Sequence, residues 1–448
     1  MSKINSDLLS NHEWSCAVHP PGMPQLAFAG TLRYSPIDGL TLEYSSLPDR
    51  AYDNEIDCLH GATTTGDPFT LVGKFSTDKA GFKARSSSFY QVGKHSFKYA
   101  IFGHHIDVNW KFSSFELDIC GLRDFITPSD HSALASFGIR SLFETCTPSV
   151  RISGVQSISA TPLPRRLSDQ IHCFEGDETA MSKLQDAFDA IKLEHPDFRP
   201  LIKVKSDFKI TIESHEDFSF DQAYETCQAI ADLFSIFFFG PAPLRTLTAI
   251  VLDESGKPHS WEAFPARLSE AGTIKRATQK KDYHFIPINF RDLELGEVIK
   301  NWLNTKDDFR TLVCLLQSST TIISYSEILS RIVLSAAQLE GIAKKARKNK
   351  ESEKYQYAID SHASQAVIDK LCSLLKSDQA QLGKAIGDLR NDIAHMGRTS
   401  KIAHTLSNKE KYMACITFEA VIMSYVLGSV GVDRPALEKY QKVLLNLV

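Results

Sequence analysis

Short apolar or aromatic runs, cut by turn residues, dominate the chain from Leu26 to about Phe125. Gly30-Thr31-Leu32-Arg33-Tyr34 leads into Pro36-Ile37-Asp38-Gly39 and then Leu40-Thr41-Leu42-Glu43-Tyr44, an alternation around a turn that predicts a hairpin. Residues 69–75 repeat the pattern after Thr65-Gly66-Asp67-Pro68, and residues 106–110 and 115–119 are rich in β-branched and aromatic side chains, so strands are predicted at each. Residues 153–164 collect Ser, Pro and Thr without strong periodicity, which predicts a boundary or a long connection. Beyond it, residues 201–212 alternate as a strand, 220–237 have helical apolar spacing that stops before Gly240-Pro241, and 247–252 are again strand-like. Residues 257–281, with Pro258 and Pro265, read as irregular.

From about Phe309 onward the period changes. Leu, Ile and Ala recur at helical spacing with no proline until Pro435, predicting helices over 309–316, 325–346, 365–375, 379–394 and 409–427. Four or five helices of these lengths suggest a bundle. The chain is therefore expected to be an α+β protein, with a β-rich N-terminal domain over 1–155, a mixed α/β continuation over 156–305 and an all-α helical bundle over 306–448. No internal repeat is evident.

Composition narrows the picture. The 448 residues are 43% hydrophobic and 23% charged, as in a soluble globular protein, and are too many for one ordinary core. The formal charge of −4 carries no whole-chain signal for a polyanion, but its distribution is uneven. From Lys306 to the end there are 20 basic and 15 acidic residues, against 30 and 39 before it, so the helical third is the part suited to nucleic acid. Nine scattered cysteines without a Cys-x-x-Cys pair argue against a disulfide framework or zinc ribbon, and residues 1–13 lack the apolar core of a signal peptide; a cytoplasmic protein is expected. Residues 414–432 are long and apolar enough to span a bilayer, but Glu419 in their midst is costly in lipid. A buried bundle helix, with no membrane partner, is the expectation.

The candidate chemistry lies in Arg390-Asn391-Asp392-Ile393-Ala394-His395. An arginine clamps phosphate whatever the pH, and a histidine gives or takes protons near neutrality, a pairing suited to breaking a phosphodiester without a metal. Arg followed by His after four to six residues is a weak signal alone. It also occurs from Arg165 or Arg166 to His172 and from Arg398 to His404, but only Arg390 to His395 follows an apolar helical run. On a continuous helix Asn391 and His395 share a face, whereas Arg390 and His395 point about 140° apart. A compact site therefore requires the helix to end there, with Gly397 placed as the cap, or a second copy to supply the missing face.

Leu389-Arg390-Asn391-Asp392-Ile393-Ala394-His395 resembles the signature of HEPN domains, helical-bundle ribonucleases with an Arg-polar-x-x-x-His core, and Gln338-Leu339-Glu340-Gly341 matches their first long helix. Phe28-Ala29-Gly30-Thr31-Leu32 and Phe69-Thr70-Leu71-Val72 resemble the N-terminal domain of the ApeA group of bacterial anti-phage proteins. The resemblance implies a homodimer with a composite site, in which a 2′-hydroxyl attacks the adjacent phosphate and leaves a 2′,3′-cyclic phosphate. Arg390 would stabilise the phosphorane, His395 serve as acid or base, and Asn391 orient the pair, with no metal or other cofactor. A trigger derived from phage would release the activity in abortive infection. Glu340 would be part of the site or a structural partner of Arg390, or else a solvated helix residue.

The run Lys344-Lys345-Ala346-Arg347-Lys348-Asn349-Lys350 is the densest basic cluster. Lys344, Lys345, Arg347 and Lys348 are candidates to hold the RNA backbone; a solvated helix end carries the same pattern. His95, His104, His105 and Asp107 are read as surface or packing residues rather than metal ligands. No Walker-type or GxGxxG motif is found. The competing function class is a non-catalytic protein whose helical part docks RNA or dimerises.

Overall fold

The computed structural model describes residues 6–46, 55–77, 81–85, 88–126, 138–162, 177–197, 201–252, 255–266, 268, 274–275, 277, 286–317, 325–348, 350, 353–395 and 402–447. Among them, fourteen strands form one antiparallel sheet. Eight strands from the chain between His12 and Phe102 make one half, and six between Phe112 and Pro265 make the other. The halves join where Tyr99–Phe102 pairs with Pro258–Pro265. The predicted hairpin forms from Phe28–Ser35 and Gly39–Ser46, with Leu32 opposite Leu42 and Gly39 at φ 84°, a turn conformation that favours glycine. Pro68–Phe75 and Phe112–Ile119 supply the next predicted strands, and burial of alternate residues such as Phe115, Leu117 and Ile119 builds the core.

Three local expectations are corrected. Residues 153–164 do not start with a loop, because Val150–Pro162 is a strand paired along its length with Leu201–Phe218. Its Ile152 is buried, and Gly154 lets Phe143 of the next strand lie where a Cβ would sit. Ser153 and Ser157, on the opposite face, mask its alternation. Residues 257–281 include the strand Pro258–Pro265, whose prolines sit at its two ends, where a missing N–H is tolerated. Conversely, residues 106–110 form a turn closed by Trp110 N–H to Asp107 C=O at 3.0 Å; Ile106 is apolar because it is buried.

The C-terminal part is helical: α4 spans Leu295–Gln317, α5 Tyr325–Lys345, α6 Gln356–His362, α7 Gln365–Leu375, α8 Leu382–Ala394, α9 Asn408–Ser429 and α10 Arg434–Leu447, after α1 (Leu122–Ile126), α2 (Glu178–Glu194) and α3 (Phe220–Phe238). α9 is the one described helix long and apolar enough to cross a membrane, and it is the core helix of this bundle, packed against α5, α10, α7 and α6. Its Glu419 is fully buried and paired with Arg331 of α5 through Nε at 2.8 Å and Nη2 at 2.6 Å. α4 begins well before the predicted 309 and packs on α3 and on the strand Gly138–Cys146, so it runs through residues 305 and 306 without a break. The Trp302 indole N–H donates to Ala229 C=O at 2.6 Å, and the Tyr440 hydroxyl of α10 donates to Ile236 C=O at 2.8 Å. These contacts tie the bundle to the sheet half.

Candidate active site

The motif helix α8 buries Leu382, Ala385, Ile386 and Leu389 against the bundle. Two glycines one turn apart bring it close: a Cβ at Gly383 would lie 2.8 Å from Gln356 N, and one at Gly387 3.0 Å from the Tyr355 ring. The Gly383 N–H also donates to Gln356 Oε1 at 2.8 Å. Arg390 follows the last core position, Leu389, and so emerges at the rim of the packed face.

α8 stops at Ala394, and His395 is extended at φ −118°, ψ 114°. That stop removes the obstacle of helical geometry, because the imidazole no longer follows the 100° progression. Arg390 Nη1 donates to Asn391 Oδ1 at 2.9 Å and lies 3.4 Å from His395 Nε2. Arg390, Asn391 and His395 therefore meet within one chain. A guanidinium can only donate, so Nε2 is the acceptor of this long contact and its lone pair faces the arginine. The helix ends two residues before the expected cap; Gly397 itself lies outside the described residues, as do Arg165, Arg166, His172 and Arg398 of the other two spacings.

Asp392 has no role that its spacing suggests, yet it anchors the chain beyond the motif. One of its oxygens, Oδ2, accepts both Ile402 N–H at 2.7 Å and Ala403 N–H at 3.0 Å, which holds these two residues beside the motif helix. No sequence pattern would have found it, since its partners are main-chain groups ten and eleven residues on.

Glu340 lies on α5, which packs against α8. Its carboxylate pairs with Lys344 Nζ at 2.8 Å. That bond, together with the charges of Lys354 and Arg390 and against a smaller effect of burial, holds its pKa below the usual carboxylate range. Glu340 thus feels Arg390 through space while bonded to Lys344. Of the basic cluster, Lys344 is engaged in this way, and Lys345 pairs with Asp308 at 3.0 Å and lies 5.0 Å from the Phe309 ring centre. Arg347 and Lys348 are exposed and make no ion pair among the described residues. Arg347 closes the end of α5 in the left-handed conformation at φ 58°, with its own N–H on Lys344 C=O and Lys348 N–H on Ala343 C=O, both at 2.9 Å.

Among the described residues no group of three or more His, Cys, Asp or Glu is placed to hold a metal ion. His105 stacks on His60 at 4.5 Å and His104 on Trp261 at 5.2 Å, which accounts for both as packing residues.

Comparison with protein families matches residues 13–302 to the profile described as ApeA N-terminal domain 1, and residues 333–435 to the one described as Apea-like HEPN. Comparison with curated proteins and with solved structures found no match.

Proposed function

Because this chain belongs to the ApeA-like HEPN family, we propose that it is an endoribonuclease that acts without a metal in anti-phage abortive infection. The observation that carries this reading is the meeting of Arg390, Asn391 and His395 at an exposed helix end. Arg390, held by Asn391, offers a permanent positive charge to the phosphorane, where stabilisation counts most. His395, once its ring turns from Arg390, accepts through Nε2 the proton of the 2′-hydroxyl as it attacks the adjacent phosphorus. The bond to the 5′-oxygen breaks, that oxygen takes a proton, and a 2′,3′-cyclic phosphate remains.

In this reading the protein is cytoplasmic and acts as a homodimer in which the two α8 helices face each other. The partner subunit's His395 then supplies the proton for the leaving oxygen. Arg347 and Lys348, with no ion pair among the described residues, steer the RNA backbone, with Lys344 and Lys345 released from their exposed pairs when RNA arrives. The sheet half restrains the nuclease until a trigger derived from phage alters how the protomers face each other.

The test is purified protein with total RNA in EDTA. Cleavage leaving cyclic phosphate ends is expected, and His395→Ala should abolish it, with toxicity, while the dimer persists. Cleavage by His395→Ala at the original rate would remove the assigned role. Intact RNA bound by the active oligomer would favour the docking protein instead.

A further inference from the structure

The helical path that carries Arg390 and Asn391 ends before His395, so α8 alone does not set where the imidazole stands. We propose that Asp392 is the positioning residue for His395, fixing the chain that bears the imidazole by holding Ile402 and Ala403 against the motif helix. The role presupposes the nuclease reading of the site and gives that site a residue that itself meets neither RNA nor the reacting atoms.

His395 keeps one backbone tie to the helix, its N–H donating to Asn391 C=O at 3.1 Å. From there the backbone is extended and the side chain is exposed. The contact of its Nε2 with Arg390 Nη1 is long, at 3.4 Å, and it is the contact that has to open before the ring can take a proton. Holding the imidazole in place therefore falls to the chain on either side of it.

Asp392 supplies that hold. It lies in the last turn of α8, and its Oδ2 receives the N–H groups of Ile402 at 2.7 Å and Ala403 at 3.0 Å. Bonds from main-chain donors to a carboxylate are stronger than those between neutral groups. They close the covalent stretch that contains His395 at both ends, which cuts the number of paths open to it. The far end is firm. Ile402 and Ala403 pack against the core, and Ile402 C=O accepts both the N–H and the hydroxyl of Thr405 at 2.9 Å. Leu406 is buried, and Ser407 opens α9 with a reciprocal cap, its N–H on Glu410 Oε2 at 2.7 Å and the Glu410 N–H on its Oγ at 3.2 Å. Asp392 thus fastens the exposed tip of the motif helix to the entry of the core helix.

The experiment follows cleavage of a short RNA by the full-length protein and its variants, together with nitrogen-15 spectra of His395 in the resting chain. Asp392→Ala should lower kcat by about tenfold to a hundredfold, the scale of a displaced catalytic group, with KM changed by less than about twofold. Asp392→Asn keeps an acceptor oxygen for both N–H groups and should recover most of the rate. In the spectra, Asp392→Ala should move the His395 ring nitrogens towards the average of the two tautomers of a free imidazole, while the native chain and Asp392→Asn keep the hydrogen on Nδ1. A native rate in Asp392→Ala, a loss carried by KM, an Asp392→Asn as slow as Asp392→Ala, or an unmoved His395 spectrum in Asp392→Ala would each overturn the proposal. If Asp392→Ala does not fold, Asp392→Asn decides: a native rate and spectrum support the acceptor role, and loss of either overturns it. A native chain that cleaves no RNA removes the nuclease reading, and the spectra then decide by themselves whether Asp392 holds His395.

Discussion

Asp392 and Asp118 show how much of a residue's role depends on what folding brings to it. The closeness of Arg390, Asn391 and His395 was legible in the sequence because their spacing is short. Asp392 was not, because what it holds is the backbone of Ile402 and Ala403. Asp118 was equally silent: burial pushes its carboxyl up to about 6, with Arg245 opposing only in part. Since this acid binds its proton more tightly when folded, the folded state pays nothing below the unfolded pKa near 4 and loses stability as pH rises towards 6. Asp118→Asn should therefore be more stable than the native chain by about 1–3 kcal/mol at pH 7.5, the gain shrinking towards zero at pH 3.5. Urea unfolding at the two pH values checks this, and a gain independent of pH would discard burial as the cause.

At the scale of elements, a helix that looks fit for lipid is explained by a single pair. Breaking a buried ion pair from one side strands the other charge, so Arg331→Met alone or Glu419→Leu alone should cost about 3–5 kcal/mol. The double variant should recover most of that loss, because two apolar side chains need no partner; equal losses in all three would show that shape, not charge, governs the site. The end of α5 offers a second case. Arg347 occupies a left-handed position that suits glycine, so Arg347→Gly should gain up to about 1 kcal/mol in unfolding experiments while lowering affinity for RNA. Helices with long apolar stripes and hairpins with turn residues were readable at this scale. The strand Val150–Pro162 was not, because its outward face carries Arg151, Ser153 and Ser157 while its buried face includes Gly154, and neither was α10, because Pro435 marks the start of a helix as readily as the end of one.

For the whole molecule, the α+β class was readable from the change of period, but the continuity of the halves was not. α4 lies under both: Trp302 bonds to α3, and Asn301 Nδ2 reaches Val430 C=O after α9 at 3.1 Å. Differential scanning calorimetry should accordingly show one unfolding transition. Trp302→Ala, which opens a cavity in this junction, should cost about 3–5 kcal/mol and separate the melting of sheet and bundle. Two transitions already present in the native chain would mean that the junction is a mere contact. The pairing at the tip of α8 has a further consequence for an assembly. Where the imidazole accepts from the guanidinium through Nε2, its hydrogen sits on Nδ1. Two copies in that tautomer would be chemical twins, both ready to receive and neither able to give. In the proposed dimer one twin would then have to take up a hydrogen ion and turn from its own arginine, so nitrogen-15 spectra of an activated dimer should contain two unlike His395 signals where the resting chain has one.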